Sequence, residues 1–313
     1  MQDNVSVSVI IPSYNSTQTI GHTIDHVLKQ SAFDRIKEII IVDSSDDDLT
    51  MKQLKQYNHP KIHCIVSGVR VMPAIQRNIG AKHATGDILA FIDSDAYPAN
   101  DWAEKIIEAF RSGWKTGGGS YAVPEFQHKS KIALGQYYLE FNEFINTGAS
   151  RSVKLLPSCN LFCEKNLFHK AGGFPEIRAS EDSLFGLKVN RISPMVFLPQ
   201  AVVYHIFREN NKHFLSNQAL IGKYIYIYRK AFYESIYLGD WMPVFIPVIA
   251  AAKFLRIVFR IMKAGPYHFL RFLKSFPIFI AGMVHWMAGF INSRKDIKLV
   301  EDLKKSITVY LNT

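Results

Sequence analysis

The chain has 313 residues, 48% of them hydrophobic and 20% charged, which suffices for one large α/β domain with an appendage, or for two ordinary domains, and excludes a disordered chain. A balance of 37 Lys and Arg against 27 Asp and Glu leaves a formal charge of +10, a surplus that suits nucleic acid, anionic lipid or phosphorylated ligands. Cys64, Cys159 and Cys163 are too few for a disulfide framework and point to a reducing compartment.

In chain order, Met1-Gln2-Asp3-Asn4 lacks a basic or long apolar stretch, so no cleaved signal peptide is expected and a cytosolic location follows. Residues 5–11 read as a buried strand ending in the loop Pro12-Ser13-Tyr14-Asn15, and a helix is predicted over 17–30. A second strand, 38–42, ends in Asp43 and a Ser/Asp-rich loop. A third covers 62–66, a helix with Arg77-Asn78 covers 72–84, and a fourth strand, 88–92, ends at Asp93. This β-α-β-α rhythm predicts a mostly parallel, Rossmann-like sheet. Residues 115–210 are mixed, with short strands near 118–123 and 201–206. Cys159 and Cys163 would share a helix face there, although no Cys or His nearby completes a zinc set.

The C-terminal third changes character. Residues 241–252 carry no charge, then Lys253, Arg256, Arg260 and Lys263 recur at helical spacing among apolar residues, a pattern typical of a helix lying in a membrane interface. Ala264-Gly265-Pro266 breaks it, and a second helix then runs uncharged from 275 to 293, near the minimum for a span. Basic residues flank both ends, so charge gives no orientation. A pair of interfacial or re-entrant helices is the adopted reading, with a true span and a buried hairpin as alternatives. The predicted division is a catalytic domain, 1–235, followed by membrane-associated helices, 236–313.

Several residues have the types and positions that chemistry needs. Ligands of parallel sheets bind at the carboxyl ends of strands, where Tyr14, Asn15, Asp43, Asp93 and Asp95 fall. In Asp93-Ser94-Asp95, residues two apart on an extended backbone point the same way, and two hard oxygen donors suit Mg2+ or Mn2+ shared with substrate phosphates. The bland alternative is a solvated turn. Asp43 reads equally as a base- or ribose-binding carboxylate and as a turn acid. Arg77 offers a planar fork to phosphate or to a base carbonyl. Glu181-Asp182 also suits an ordinary helix N-terminus, and His205 a structural histidine. Phosphate-loop, dinucleotide, zinc-protease and serine-hydrolase signatures are absent from the sequence. No motif supports a nucleic-acid binder.

Together, Val9-Ile-Ile-Pro-Ser-Tyr-Asn15, Ile39-Ile-Ile-Val-Asp-Ser-Ser45, Arg77-Asn-Ile-Gly-Ala81, Ala84-Thr-Gly-Asp-Ile-Leu-Ala-Phe-Ile-Asp-Ser-Asp95, Ala171-Gly-Gly-Phe174 and Glu181-Asp182 resemble family-two glycosyltransferases of the GT-A type. The order and spacing agree over residues 5 to about 210. The resemblance implies an inverting, nucleoside-diphosphate-sugar-dependent enzyme, with UDP as the expected carrier, acting on a saccharide or lipid-linked acceptor at the cytoplasmic face of a membrane. It implies that Pro12, Tyr14, Asn15, Asp43, Arg77 and Asp93 line the nucleotide pocket, with Asp43 reading the base. It also implies that Asp93, Asp95 and His205 face Mg2+ or Mn2+, and that Asp182 is the catalytic base beside Glu181. Asp43-Ser-Ser-Asp46 departs from the family, many members of which carry a second acid and a glycine there. A polyprenyl-phosphate sugar synthase and a catalytically silent scaffold of the same fold are the competing functions.

Overall fold

The computed structural model describes residues 4–232 and 245–312. By contacts the chain forms two compact units, residues 1–122 with 148–205, and residues 123–147 with 206–313. The predicted boundary between 235 and 236 lies outside the described residues. Residues 206–232, assigned by sequence to the catalytic half, group with the C-terminal helices.

The first unit contains β1 (Val7–Ser13), α1 (Ile20–Leu28), β2 (Ile36–Asp43), α2 (Leu49–Leu54), β3 (Ile62–Val66), α3 (Pro73–His83), β4 (Ile88–Ile92), β5 (Ala96–Pro98), α4 (Trp102–Arg111) and β6 (Thr116–Ala122). After α5 (Lys131–Glu140), which belongs to the second unit, it resumes with β7 (Arg151–Val153), β8 (Asn160–Glu164), α6 (Lys165–Lys170), α7 (Glu181–Asn190) and β9 (Met195–His205). The strands form one sheet in the order β3-β2-β1-β4-β8-β6-β9-β5, with β7 beside β9.

Strands β3, β2, β1 and β4 are parallel, as predicted. The rest of the sheet is mixed, because β8, formed where Cys159 and Cys163 were expected to share a helix face, enters antiparallel to both β4 and β6. β1 is buried along its whole length, as expected of a strand covered on both faces. α3 lies against it so closely that a Cβ on Gly80 would stand 2.5 Å from Cγ2 of Ile10. Further along the sheet, Gly117, Gly118 and Gly119 let β6 run against backbone. A Cβ on Gly119 would meet the Ala201 carbonyl oxygen at 1.7 Å. Asn160 fills the tight space there, donating to the carbonyls of Ser120 and Ala201 and accepting from the Trp102 indole.

The parallel half sets the location of a site. From β1 the chain moves outward through β2 to β3, then returns to place β4 on the other flank of β1. A crevice outside the carboxyl ends of the strands forms at such a switch, between the ends of β1 and β4.

The second unit is helical: α5, α8 (Asn211–Phe232), α9 (Ile246–Ala264), α10 (Pro266–Asn292) and α11 (Ile297–Asn312). α8 and α10 touch backbone to backbone. A Cβ on Gly222 would stand 2.0 Å from the Trp286 carbonyl oxygen, and one on Gly289 would stand 1.9 Å from that of Ala219. Gly135 on α5 gives way to Ile278 on α10, and Lys223 pairs with Asp296 at 2.8 Å.

Candidate active site

α3 has an unusual buried face, consisting of Ala74, Gln76, Arg77, Gly80 and Ala81. A polar residue on a core-facing position must find partners inside, and both do. The Gln76 amide donates to the carbonyls of Ser13 and Val42, tying together the ends of β1 and β2. Arg77, only 3% exposed, donates to Asp93 Oδ1 at 2.6 Å and to Glu181 Oε1 at 3.3 Å. Burial opposes its charge, but the Asp93 and Glu181 carboxylates hold its pKa above the ordinary arginine value. It is therefore not a solvated surface arginine.

The same helix anchors the glycine-rich loop after α6. The Asn78 side chain donates to the Phe174 carbonyl at 2.8 Å and accepts from its N–H at 2.9 Å. Gly173, at φ +69°, leaves no room for a Cβ, which would lie 2.8 Å from Asn78 Oδ1. Thus Arg77-Asn78 and Ala171-Gly-Gly-Phe174, whose bonded residues Asn78 and Phe174 are 96 apart in the sequence, form one structural joint.

Glu181 and Asp182 open α7, so a helix N-terminus and a presented pair of carboxylates coincide there. Ala179 and Ser180 precede them with φ +65° and +67°, a left-handed geometry that non-glycine residues adopt at a cost. Asp182 is half-buried, and its Oδ1 accepts the Ser183 N–H at 2.7 Å. Burial, then repulsion from Glu181, pushes its pKa up to about 7, against the lowering influence of Ser183 and Arg77.

Asp93-Ser94-Asp95 forms the turn between β4 and β5, closed by the Ala96 N–H on the Asp93 carbonyl. The segment is a turn and not the extended backbone expected of the motif. Ser94 turns inward to Ser16 at 2.7 Å, while Asp93 meets Arg77 and Asp95 lies near His205. The pairing of β5 with β9 sets His205 opposite Ala96, and His205 Nε2 stands 3.7 Å from Asp95 Oδ1. Among the described residues no group of three His, Cys, Asp or Glu side chains could hold a metal alone. One nitrogen and one oxygen at this separation can still share an ion with bonds of about 2.1 Å, and the set suits a cation completed by phosphate oxygens.

At the ends of β1 and β2, Pro12 is buried in the strand opposite Val42. Asp43 is only 2% exposed, and its Oδ1 accepts from the hydroxyls of both Ser13 and Ser45. The Tyr14 hydroxyl donates to Asp46, and its ring carries the Arg70 guanidinium 4.3 Å from the centroid. Asn15, at φ +50°, exchanges hydrogen bonds with Asp46.

Sequence reasoning missed Gln76, Asn78's joint, Arg70 and the pair Tyr121–Cys159. Burial raises the pKa of both members of that pair, and each is further influenced by Asp93. A signal was available for Gln76 and Asn78, because they flank Arg77 on a helix with few apolar residues to bury. Cys159 and Cys163 lie just before and within β8, not on a helix face, because the strand pairs with β4 and β6 there.

A family profile described as glycosyl transferase family 2 matches residues 8–157. Glycosyltransferase AglE of Haloferax volcanii is 25% identical over 172 residues, which are 54% of this chain and 56% of AglE. The Escherichia coli UDP-Glc:alpha-D-GlcNAc-diphosphoundecaprenol beta-1,3-glucosyltransferase WfaP is 29% identical over 191 residues, covering 57% of this chain and 68% of WfaP. The chain thus spans little more than half of the first relative. The fold is that of mannosyltransferase PcManGT from Pyrobaculum calidifontis, in complex with GDP-Man and Mn2+, at 18% identity and a TM-score of 0.55 over 97% of this chain and 85% of that one.

Proposed function

Residues 8–157 belong to glycosyl transferase family 2, and on that premise we propose that the chain is an inverting glycosyltransferase that moves a sugar from a UDP-linked donor to a saccharide or lipid-linked acceptor at a membrane surface. The observation that carries this reading is the single buried Arg77 joining the strand-end Asp93 to the Glu181-Asp182 pair. The acceptor hydroxyl attacks the anomeric carbon as the bond from that carbon to the diphosphate oxygen breaks. Asp182 takes the proton, and the leaving diphosphate keeps the electron pair. A base poised near pH 7 is efficient for this step, which fits a carboxyl pushed up to about 7. Attack from the face opposite the leaving group inverts the anomeric centre.

Asp43 reads the base, held by Ser13 and Ser45 on one oxygen. Pro12, Tyr14 and Asn15 form the wall at the end of β1, and Arg77 acts on the nucleotide through Asp93. Asp95 and His205, with Asp93 nearby, would hold Mg2+ or Mn2+, which when bound neutralises charge on the leaving diphosphate. The lipid-linked acceptor and the cytoplasmic membrane face take support from the diphosphoundecaprenol substrate in the name of WfaP and from the apolar helix α10. Cell-envelope polysaccharide synthesis is the matching role.

Binding of UDP, GDP and dTDP to the full chain in detergent, with and without Mn2+, tests this without a known acceptor. UDP binding that requires metal and weakens at least about tenfold, about 1.4 kcal/mol, in Asp95→Ala is expected. Folded protein that binds none of the three nucleotides would overturn the reading. Tight GDP binding alone would move the donor from UDP to GDP. If Asp182→Asn stays fully active with a polyprenyl phosphate acceptor, whose oxygen needs no base, the synthase function replaces the saccharide one.

A further inference from the structure

The helical unit displays an apolar surface that its own packing does not explain. Leu255, Phe259 and Met262 on α9, with Tyr267, Leu270 and Leu273 on α10, stand 48–68% exposed. They recur at helical spacing on either side of the turn at Gly265. Residues 246–292 contain six Lys and Arg and no Asp or Glu. Arg256, Lys263 and Lys274 are exposed among these apolar side chains. An apolar stripe bordered by these cations is complementary to anionic lipid. It is a poor match for a second copy of the chain, which would bring the same cations face to face.

α10 is long and apolar enough to cross a bilayer, yet its surroundings oppose a crossing. Its buried stripe, which includes Phe272, Phe279, Met283, Trp286 and Phe290, is turned inward. Gly222 and Gly289 lock it against α8. α8 carries Lys212, Lys223, Arg229 and Lys230, and Lys223 is paired with Asp296. For α10 to span, this charged helix would have to enter the hydrocarbon with it, against the desolvation of each charge. The other side of α10 remains apolar along Leu270, Leu273, Phe276, Ile280 and Val284, as a helix lying in the plane of an interface requires.

We propose that α9 and α10 form a one-sided membrane anchor, which sinks its apolar stripes into a single leaflet of an anionic bilayer and does not cross it. This goes beyond the transfer reaction and is read from lipid binding alone, so it stands or falls separately from the nucleotide experiment.

The test is co-sedimentation of the purified full chain with vesicles of phosphatidylcholine, with and without phosphatidylglycerol. Binding should favour the anionic vesicles and weaken with salt. Replacing Arg256, Lys263 and Lys274 with Gln should reduce that preference about fivefold per cation. Phe259→Asp with Leu270→Asp should lower binding to both lipids at least about tenfold, with an unchanged circular dichroism spectrum and melting temperature as the check on folding. On a Cys64→Ser background, Lys263→Cys and Lys295→Cys bracket α10. Both should react with a membrane-impermeant maleimide added outside the vesicles. Protection of only one of the two that is relieved when a pore-former admits the maleimide to the vesicle lumen would establish a crossing and overturn the proposal. So would unchanged vesicle binding by both sets of variants, or a dimer in solution that Phe259→Asp dissociates while vesicles are ignored.

Discussion

At the scale of single residues, Arg77 is a structural tie between two acids, and its loss should be felt first in stability. Removing one partner of a buried ion pair costs about 3–5 kcal/mol, because the remaining charges are stranded. Arg77→Met should therefore fall by about that amount in urea unfolding, and Arg77→Lys, which keeps the charge without the fork, by less. Asp182 should behave in the opposite way. Its folded pKa, about 7, lies above the ordinary carboxylate value of about 3.9. The stability it contributes as a neutral acid is thus complete below about pH 4 and is lost as pH rises through 7. Asp182→Asn should accordingly melt higher than the parent at pH 8, by a margin that shrinks on acidification. The same variant should lose about 10²–10⁴-fold in turnover while binding UDP normally. In the parent, kcat should climb with pH along a limb centred near 7, and that limb should vanish in Asp182→Asn.

At the scale of elements, the Ala84-Thr-Gly-Asp87 turn shows why a short motif is obligatory. Glu38 is buried on β2, and its Oε1 accepts from the Ser8 hydroxyl and from both the N–H and the hydroxyl of Thr85. Burial alone would raise its pKa, but these hydrogen bonds bring it below the ordinary glutamate value. Its stabilisation is therefore present above about pH 4.3 and fades as pH falls further. Glu38→Gln should cost about 1–3 kcal/mol near neutrality, and parent and variant should converge in acid unfolding experiments. A Cβ on Gly86 would stand 2.8 Å from the Ser8 backbone nitrogen. Gly119→Ala has still less room, and it should destabilise by more than about 3 kcal/mol, the upper end of ordinary overpacking, read as loss of soluble protein or a lowered melting point.

At the scale of the whole molecule, the parallel half of the sheet was legible because β1, β2 and β4 carry apolar runs, residues 9–12, 39–42 and 88–92, that lead into polar residues. The same rule located Tyr14, Asn15, Asp43 and Asp93. The second half was less so. β8 carries only three apolar residues, Leu161, Phe162 and Cys163, between polar ones, too few to declare a strand. α5 is buried at seven of its ten positions, so it lacks the two-sided pattern that betrays a surface helix. Nothing in composition marks the excursion of residues 123–147 into the helical unit, because that membership depends on distant partners such as Ile278 against Gly135. The basic character of residues 246–292 was legible from spacing alone. That α10 is held on one side by α8 was not, since the glycines responsible, Gly222 and Gly289, look unremarkable in sequence.

The left-handed pair Ala179–Ser180 bears on how this protein could be engineered. Glycine at either position would remove about 1–2 kcal/mol of backbone strain but would add comparable freedom to the unfolded chain, so the melting temperature would scarcely move. The stiffness with which Glu181 and Asp182 are presented would be lost nonetheless. A library sorted for thermal tolerance would pass such variants, and one sorted for turnover would reject them. Directed evolution of this chain should therefore screen both properties at these two codons.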